Sequence, residues 1–150
     1  ILFEGFHTDS AVTVVVGKSS SEKDKLISVT RHSLELGIAQ ARAGNTLGDI
    51  GFAIQSYVES QGFGVVRDLV GHGIGTELHE EPQVMNFGKA GTGLKLTSGM
   101  VIAIEPMVTM GDWHVTEDKH GVFRTKDGSL ACHFEHTVAI TDDGPQILTL

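Results

Sequence analysis

A chain of 150 residues, 40% of them hydrophobic, is long enough for one domain with a real core. Its formal net charge of -8, with no run of Lys or Arg, argues against direct nucleic-acid binding and against an anionic membrane surface. A single cysteine, Cys132, allows no internal disulfide and fits a reducing, cytoplasmic compartment, and no apolar stretch is long enough to span a bilayer.

Ile1-Leu2-Phe3, the turn Glu4-Gly5 and the alternating residues 10–16 read as a β-hairpin whose first strand is nearly all missing. The chain is therefore expected to be the C-terminal part of something longer. Val12, Val14 and Val16 fall on one face of the second strand, and Ala11, Thr13 and Val15 on the other. Asp9 stands at the head of that strand, where a turn aspartate is the more ordinary reading. Ser19 with Glu22 fits a capping box, after which Leu26, Thr30, Leu34, Gly37, Ile38 and Ala41 recur at helical spacing. His32 lies off that stripe and reads as solvated. Residues 43–45 stop the helix. Thr46 with Asp49 caps a second one, which buries Ile50, Ile54, Tyr57 and Val58 and stops at Gly62.

Residues 63–66 are a short strand candidate. Residues 70–84, V-G-H-G-I-G-T-E-L-H-E-E-P-Q-V, follow and concentrate two histidines, three acids and three glycines. Glycines at 71, 73 and 75 let backbone approach closely and disfavour a helix. His72 and His79 are thus expected on an irregular loop that runs into a strand. His79 opens H-E-x-x-Q, not H-E-x-x-H, so the helical zinc-protease motif is absent. Residues 88–93 are a turn region. Residues 100–108 are apolar on both faces and read as one strand buried on both sides, with Glu105 set deep inside it and extended by the following Pro106. Residues 111–127 form a polar excursion. Residues 129–140 form a long strand with Phe134, His136, Val138 and Ile140 on one face and His133, Glu135, Thr137 and Ala139 on the other. A turn at 141–145 and a last strand at 146–150 close a single domain over residues 1–150.

Asp9, Glu105 and Glu135 stand out by position. A buried carboxylate is costly unless it is paired or binds a metal, and few cations are placed to pair with these three. Carboxylates with an imidazole suit divalent Mn, Fe, Co or Zn, and bridging carboxylates suit a pair of such ions. Structural carboxylates with loop histidines are the competing reading at this level.

Five blocks resemble the type I methionine aminopeptidases: Gly5-Phe6-His7-Thr8-Asp9-Ser10, Gly71-His72-Gly73-Ile74-Gly75, Leu78-His79-Glu80-Glu81-Pro82, Ile104-Glu105-Pro106-Met107 and Phe134-Glu135-His136-Thr137. They are collinear and span almost the whole chain. The resemblance implies an α/β (α+β) pita-bread fold, in which a curved antiparallel sheet is backed by helices, with the N-terminal half absent from this chain. It implies removal of the N-terminal methionine from nascent proteins when the next residue is small, by attack of a water activated by two divalent ions (Co, Mn, Fe or Zn). By matching position, Asp9 and Glu135 would be shared by both ions. His72 and Glu105 would complete one of them. Glu105 would also relay a proton, and His79 would bind the substrate amide and stabilise developing charge.

One further family Asp maps before Ile1, so the missing half is expected on the same or a companion chain. Leu78 stands where the family often has Phe, and residues 111–124 differ from the family pattern. The implied partners are nascent polypeptide N-termini and the ribosome. An Xaa-Pro aminopeptidase or prolidase is the nearest alternative. A pita-bread module that binds without catalysis is the alternative from another class.

Overall fold

Two helices lie against a curved antiparallel sheet in the computed structural model, which describes residues 1–149. In chain order the elements are β1 (Leu2–Phe3), β2 (Phe6–His7), β3 (Ser10–Ala11), α1 (Ser21–Gln40), α2 (Leu47–Ser60), β4 (Gly64–Val65), β5 (Gly71–Gly73), β6 (Glu80–Val84), β7 (Val101–Ile104), β8 (Met107–Thr109), β9 (Val115–Glu117), β10 (Phe123–Thr125), β11 (Ala131–His133), β12 (Glu135–Thr141) and β13 (Gly144–Ile147). Among the described residues, no helix is long and apolar enough to cross a membrane.

Helix α1 begins one residue later than the capping box predicts. Ser20 is the cap, accepting from the Lys23 amide, and the Ser19 hydroxyl is drawn to Asp24 instead of Glu22. The apolar stripe is as expected and wider, since Val29 and Ser33 are buried too. His32 is exposed and bonded to Glu35. Helix α2 starts where Thr46 and Asp49 place it: the Asp49 carboxylate accepts from the Thr46 amide at 2.7 Å. Gly62, at φ +84°, supplies its left-handed stop. Ile50, Ile54 and Val58 are fully buried, and Tyr57 is packed at the edge of the core. The helices cross where Gly37 lacks a side chain. A Cβ there would lie 2.8 Å from the Ile54 side chain.

The main sheet runs β13-β12-β7-β5-β6, with β3 added alongside β12, and every pairing is antiparallel. A second sheet, β11-β8-β4, flanks it. The expectation of one continuous strand over residues 100–108 is corrected here. Pro106 has no N–H to continue a ladder, so β7 ends at Ile104 and the chain crosses to the second sheet as β8. The strand expected over 129–140 breaks likewise: β11 belongs to the second sheet and β12 to the first, with Phe134 between them. These two crossings lie side by side and put Glu105 and Glu135 together.

The hairpin expected at the start forms with a short first strand: Leu2 pairs with His7 and Phe3 with Phe6, around Glu4 and Gly5, both at positive φ. Its continuation is shorter than expected, since only Ser10–Ala11 pairs, with β12. Val12, Val14 and Val16 are exposed while Thr13 and Val15 are half-buried, so the alternation survives without a partner strand among the described residues. The polar excursion carries a hairpin that was not expected, β9 with β10. The last strand ends at Ile147, and Leu150 lies outside the described residues.

Candidate metal centre

His72 is held by a strand, not by the loop that its three neighbouring glycines suggest. It is the middle residue of β5, between β6 and β7, and is 8% exposed. The glycines serve close packing. A Cβ on Gly71 would sit 2.3 Å from the Ala103 carbonyl, and one on Gly73 would sit 2.2 Å from that of Glu81. Nδ1 of His72 lies 2.9 Å from the Gly73 carbonyl and donates to it, which leaves Nε2 bare and aimed into the site.

Asp9 is fixed through its backbone. Its amide donates to the Thr137 hydroxyl, and that hydroxyl donates to the Asp9 carbonyl, both at 2.8 Å. Glu105 is placed by the end of β7 and by buried Asn86, whose side-chain amide donates to the Glu105 carbonyl at 3.1 Å. Glu135 opens β12 and is 4% exposed, and its Oε1 is buried with no hydrogen-bond partner. The structure therefore brings Asp9, His72, Glu105 and Glu135 together. One ligand atom each from Asp9, His72 and Glu135 lie within 4.8 Å of one another, and the same holds for Glu105, His133 and Glu135. Nε2 of His72 is 3.6 Å from Oε1 of Glu105.

His79 is outside both groups. It lies on the turn before β6, edge-on to His72 with ring centroids 4.4 Å apart, and lines the same cleft of about 660 Å³. Sequence reasoning did not single out His133 or Asn86. The strand alternation did set His133 on the face of Glu135, and that was the available signal. Nothing in the sequence marks Asn86.

The electrostatics are those of an uncompensated acidic centre. Burial first, then the negative charges of Glu105 and Asp9, push the Glu135 carboxyl up to about 7, with His133 acting the other way. Among the described residues, Lys and Arg form no ion pair with any of the three acids. Native structures rarely leave a buried carboxylate oxygen unpartnered. Three carboxylates and an imidazole whose outer nitrogen is already committed make a donor set that fits a divalent cation.

A curved antiparallel sheet backed by two helices, with carboxylates and an imidazole converging on one cleft, defines a pita-bread protein with a candidate metal-binding centre. The chain belongs to metallopeptidase family M24, whose model matches residues 1–142. It is 53% identical over 150 residues to a methionine aminopeptidase of Clostridium acetobutylicum, covering 99% of this chain and 60% of that protein. It is 42% identical over 151 residues to one of Escherichia coli, covering all of this chain and 57% of that protein. The crystal structure of methionine aminopeptidase from Rickettsia prowazekii superposes with a TM-score of 0.97 at 42% identity, over 99% of this chain and 61% of that one. The prolidase of Pyrococcus furiosus, at a TM-score of 0.75 and 23% identity, shares the fold. The chain spans about 60% of the length of the curated relatives it matches.

Proposed function

We propose that this chain carries the metal centre of a methionyl aminopeptidase. The enzyme removes the N-terminal methionine of newly made polypeptides in the cytoplasm when the next residue is small. The observation that carries the reading is Glu135, a buried carboxylate with an unpartnered oxygen between Asp9, His72 and Glu105. The relatives named methionine aminopeptidase, at 42–53% identity, support the choice of substrate.

Asp9, His72, Glu105 and Glu135 would hold two divalent ions, with Asp9 and Glu135 shared between them. Bound there, the ions supply a nucleophilic water at neutral pH and a clamp on the substrate's polar end. The remaining steps belong to the chain's own groups. Glu105 accepts the proton released as the water oxygen bonds to the carbonyl carbon, and passes it to the leaving amide nitrogen as the C–N bond breaks. His79 is free of the ligand groups and donates a hydrogen bond to the scissile amide, stabilising the charge that develops on its oxygen. The cleft beside His72 and His79, with Leu69, Val70 and Met107 in its wall, receives the substrate's N-terminal end.

The test is release of methionine from Met-Ala-Ser with Mn or Co, beside an Xaa-Pro peptide. Cleavage of Met-Ala-Ser in preference supports the reading. Preference for the Xaa-Pro peptide would reassign the centre to prolidase-type chemistry.

A further inference from the structure

We propose that Trp113 is a positioning residue for the substrate's N-terminal end. Acting through Arg67, it braces the Leu69–Val70 wall of the cleft, and so sets affinity for a polypeptide N-terminus that it does not touch. The brace rests on the reading above only in that the cleft takes that end of the substrate, and its groups lie outside the metal centre.

Four side chains form the cluster: Phe87, Arg67, Trp113 and His114. The Arg67 guanidinium carbon lies 4.8 Å from the Trp113 ring centroid and 5.5 Å from that of Phe87. A cation over an indole face is attracted by the ring quadrupole, and Trp is the best of the aromatic rings for it. Hydrogen bonds do less to hold this guanidinium. Its Nε is shut off from solvent without a hydrogen-bond partner, and Glu59 of α2 stands 3.5 Å from a terminal nitrogen, beyond a normal N–H···O bond. Trp113 is itself fixed on both sides. His114 stacks on it with ring centroids 3.8 Å apart and planes 20° apart, and Nδ1 of His114 lies 2.8 Å from the Asp112 carboxylate. Gly64 admits the chain here: a Cβ on it would lie 2.8 Å from the Gly111 carbonyl and 3.2 Å from the Trp113 amide.

Each member of the cluster sits a few residues from a piece of cleft wall. Phe87 follows β6, which supplies Gln83, and Trp113 follows β8, which supplies Met107. Arg67 precedes Leu69 and Val70, which line the cleft directly. The Val66 amide donates to the Met107 carbonyl at 3.0 Å. Residues 66–70 then run outside any strand or helix until β5 begins at Gly71. A segment without a ladder of its own takes its position from side-chain anchors. Arg67 is that anchor, and removing Trp113 frees it. The metal centre is spared, because His72 is held by the pairing of β5 with β6 and β7. The excursion that carries Trp113 is also where the chain departs from the family pattern.

The test is steady-state hydrolysis of Met-Ala-Ser with Mn, beside calorimetric binding of L-methionine to the Mn-loaded protein and of Mn to the metal-free protein. The proteins compared are the parent, Trp113→Ala, Trp113→Phe and Arg67→Gln. Far-UV circular dichroism establishes that each is folded. Arg67→Gln leaves the excursion's own contacts in place, so it decides the matter if Trp113→Ala does not fold. In Trp113→Ala and Arg67→Gln, KM and the Kd for L-methionine should rise about fivefold, the scale of one cation–π contact, with kcat within about twofold and Mn affinity unchanged. Trp113→Phe keeps a ring face for Arg67 and should return both constants to within about twofold of the parent. Parent values of KM and Kd in Arg67→Gln would overturn the inference. So would a loss confined to kcat or Mn affinity, or a Phe variant no better than Ala. A parent that binds L-methionine but prefers an Xaa-Pro peptide would overturn the proposed function, while the shift in Kd still decides the brace. A parent that neither cleaves Met-Ala-Ser nor binds L-methionine would overturn both.

Discussion

Thr137→Val tests how the site is anchored. Thr137 is fully buried on β12, and its hydroxyl both accepts from the Asp9 amide and donates to the Asp9 carbonyl, each at 2.8 Å. Val has nearly the same shape, so the substitution removes the hydroxyl and little else. It breaks two hydrogen bonds, each worth about 1 kcal/mol net, and strands an N–H and a C=O. Asp9 is only half-buried, so water reaches part of this loss, and the low end of the range applies. The expected destabilisation is about 2 kcal/mol. At roughly 2–4 °C per kcal/mol for a chain of this size, that lowers Tm by about 4–8 °C. The backbone of Asp9 is freed at the same time, so divalent affinity should fall about tenfold, the usual cost of losing an outer support of a ligand. Thermal unfolding of the metal-free protein gives the first quantity and calorimetric titration with Mn gives the second. A Tm within about 1 °C of the parent, with unchanged affinity, would show that the Thr137 bonds position nothing, and the reasoning would fail.

Loss of a metal donor should act more directly. His72→Ala and Glu135→Ala are expected to abolish tight binding of at least one Mn ion in a calorimetric titration, because no neighbouring group can replace the missing donor. Unchanged affinity in both variants would remove these residues from the centre. His79→Ala should leave metal content intact and lower turnover of Met-Ala-Ser about a hundredfold, the ordinary cost of one transition-state donor, and metal lost on dialysis would instead make His79 a ligand. The pH dependence follows from Glu135. It holds its proton up to about 7 in the folded, metal-free protein but only to about 4.5 when unfolded. Between these values the folded state binds the extra proton, so this group's contribution falls as pH rises through the window. Glu135→Gln should therefore gain stability relative to the parent in urea titrations between about pH 4.5 and 7, and a difference independent of pH would contradict the assignment.

The sequence carried most of the helical layer and most of the ligand set, for different physical reasons. Helices α1 and α2 were legible because cap, stripe and stop are all local signals. The cap of α1 was misplaced by one residue because three consecutive serines compete for it, and only the observed turn shows that Ser20 wins. Asp9, Glu105 and Glu135 were visible as acids at odd places in strands. Their meeting in space was carried by the family resemblance, since it depends on two strand crossings that no local pattern announces.

Pro106 predicts an extended residue before it, yet in the structure it ends the strand. The residue before a proline is indeed extended, but the missing N–H closes the ladder. The glycines around His72 disfavour a helix and allow close backbone approach, which by local pattern alone points to an irregular loop. Here they admit the carbonyls of Ala103 and Glu81, a constraint set by neighbours distant in sequence. His133 was placed on the right face but not in the right company, because its distance to Glu105 depends on the pairing of β11 with β8.

The most direct test of the central claim is anomalous X-ray diffraction from crystals of the protein grown with Mn. The account predicts an anomalous peak at a bonding distance of about 2.0–2.3 Å from a Glu135 oxygen and from Nε2 of His72, with Asp9 or Glu105 completing its shell. A Glu135 carboxyl with no peak within bonding distance, hydrogen-bonded instead to a neighbouring acid or to ordered water at saturating Mn, would contradict it.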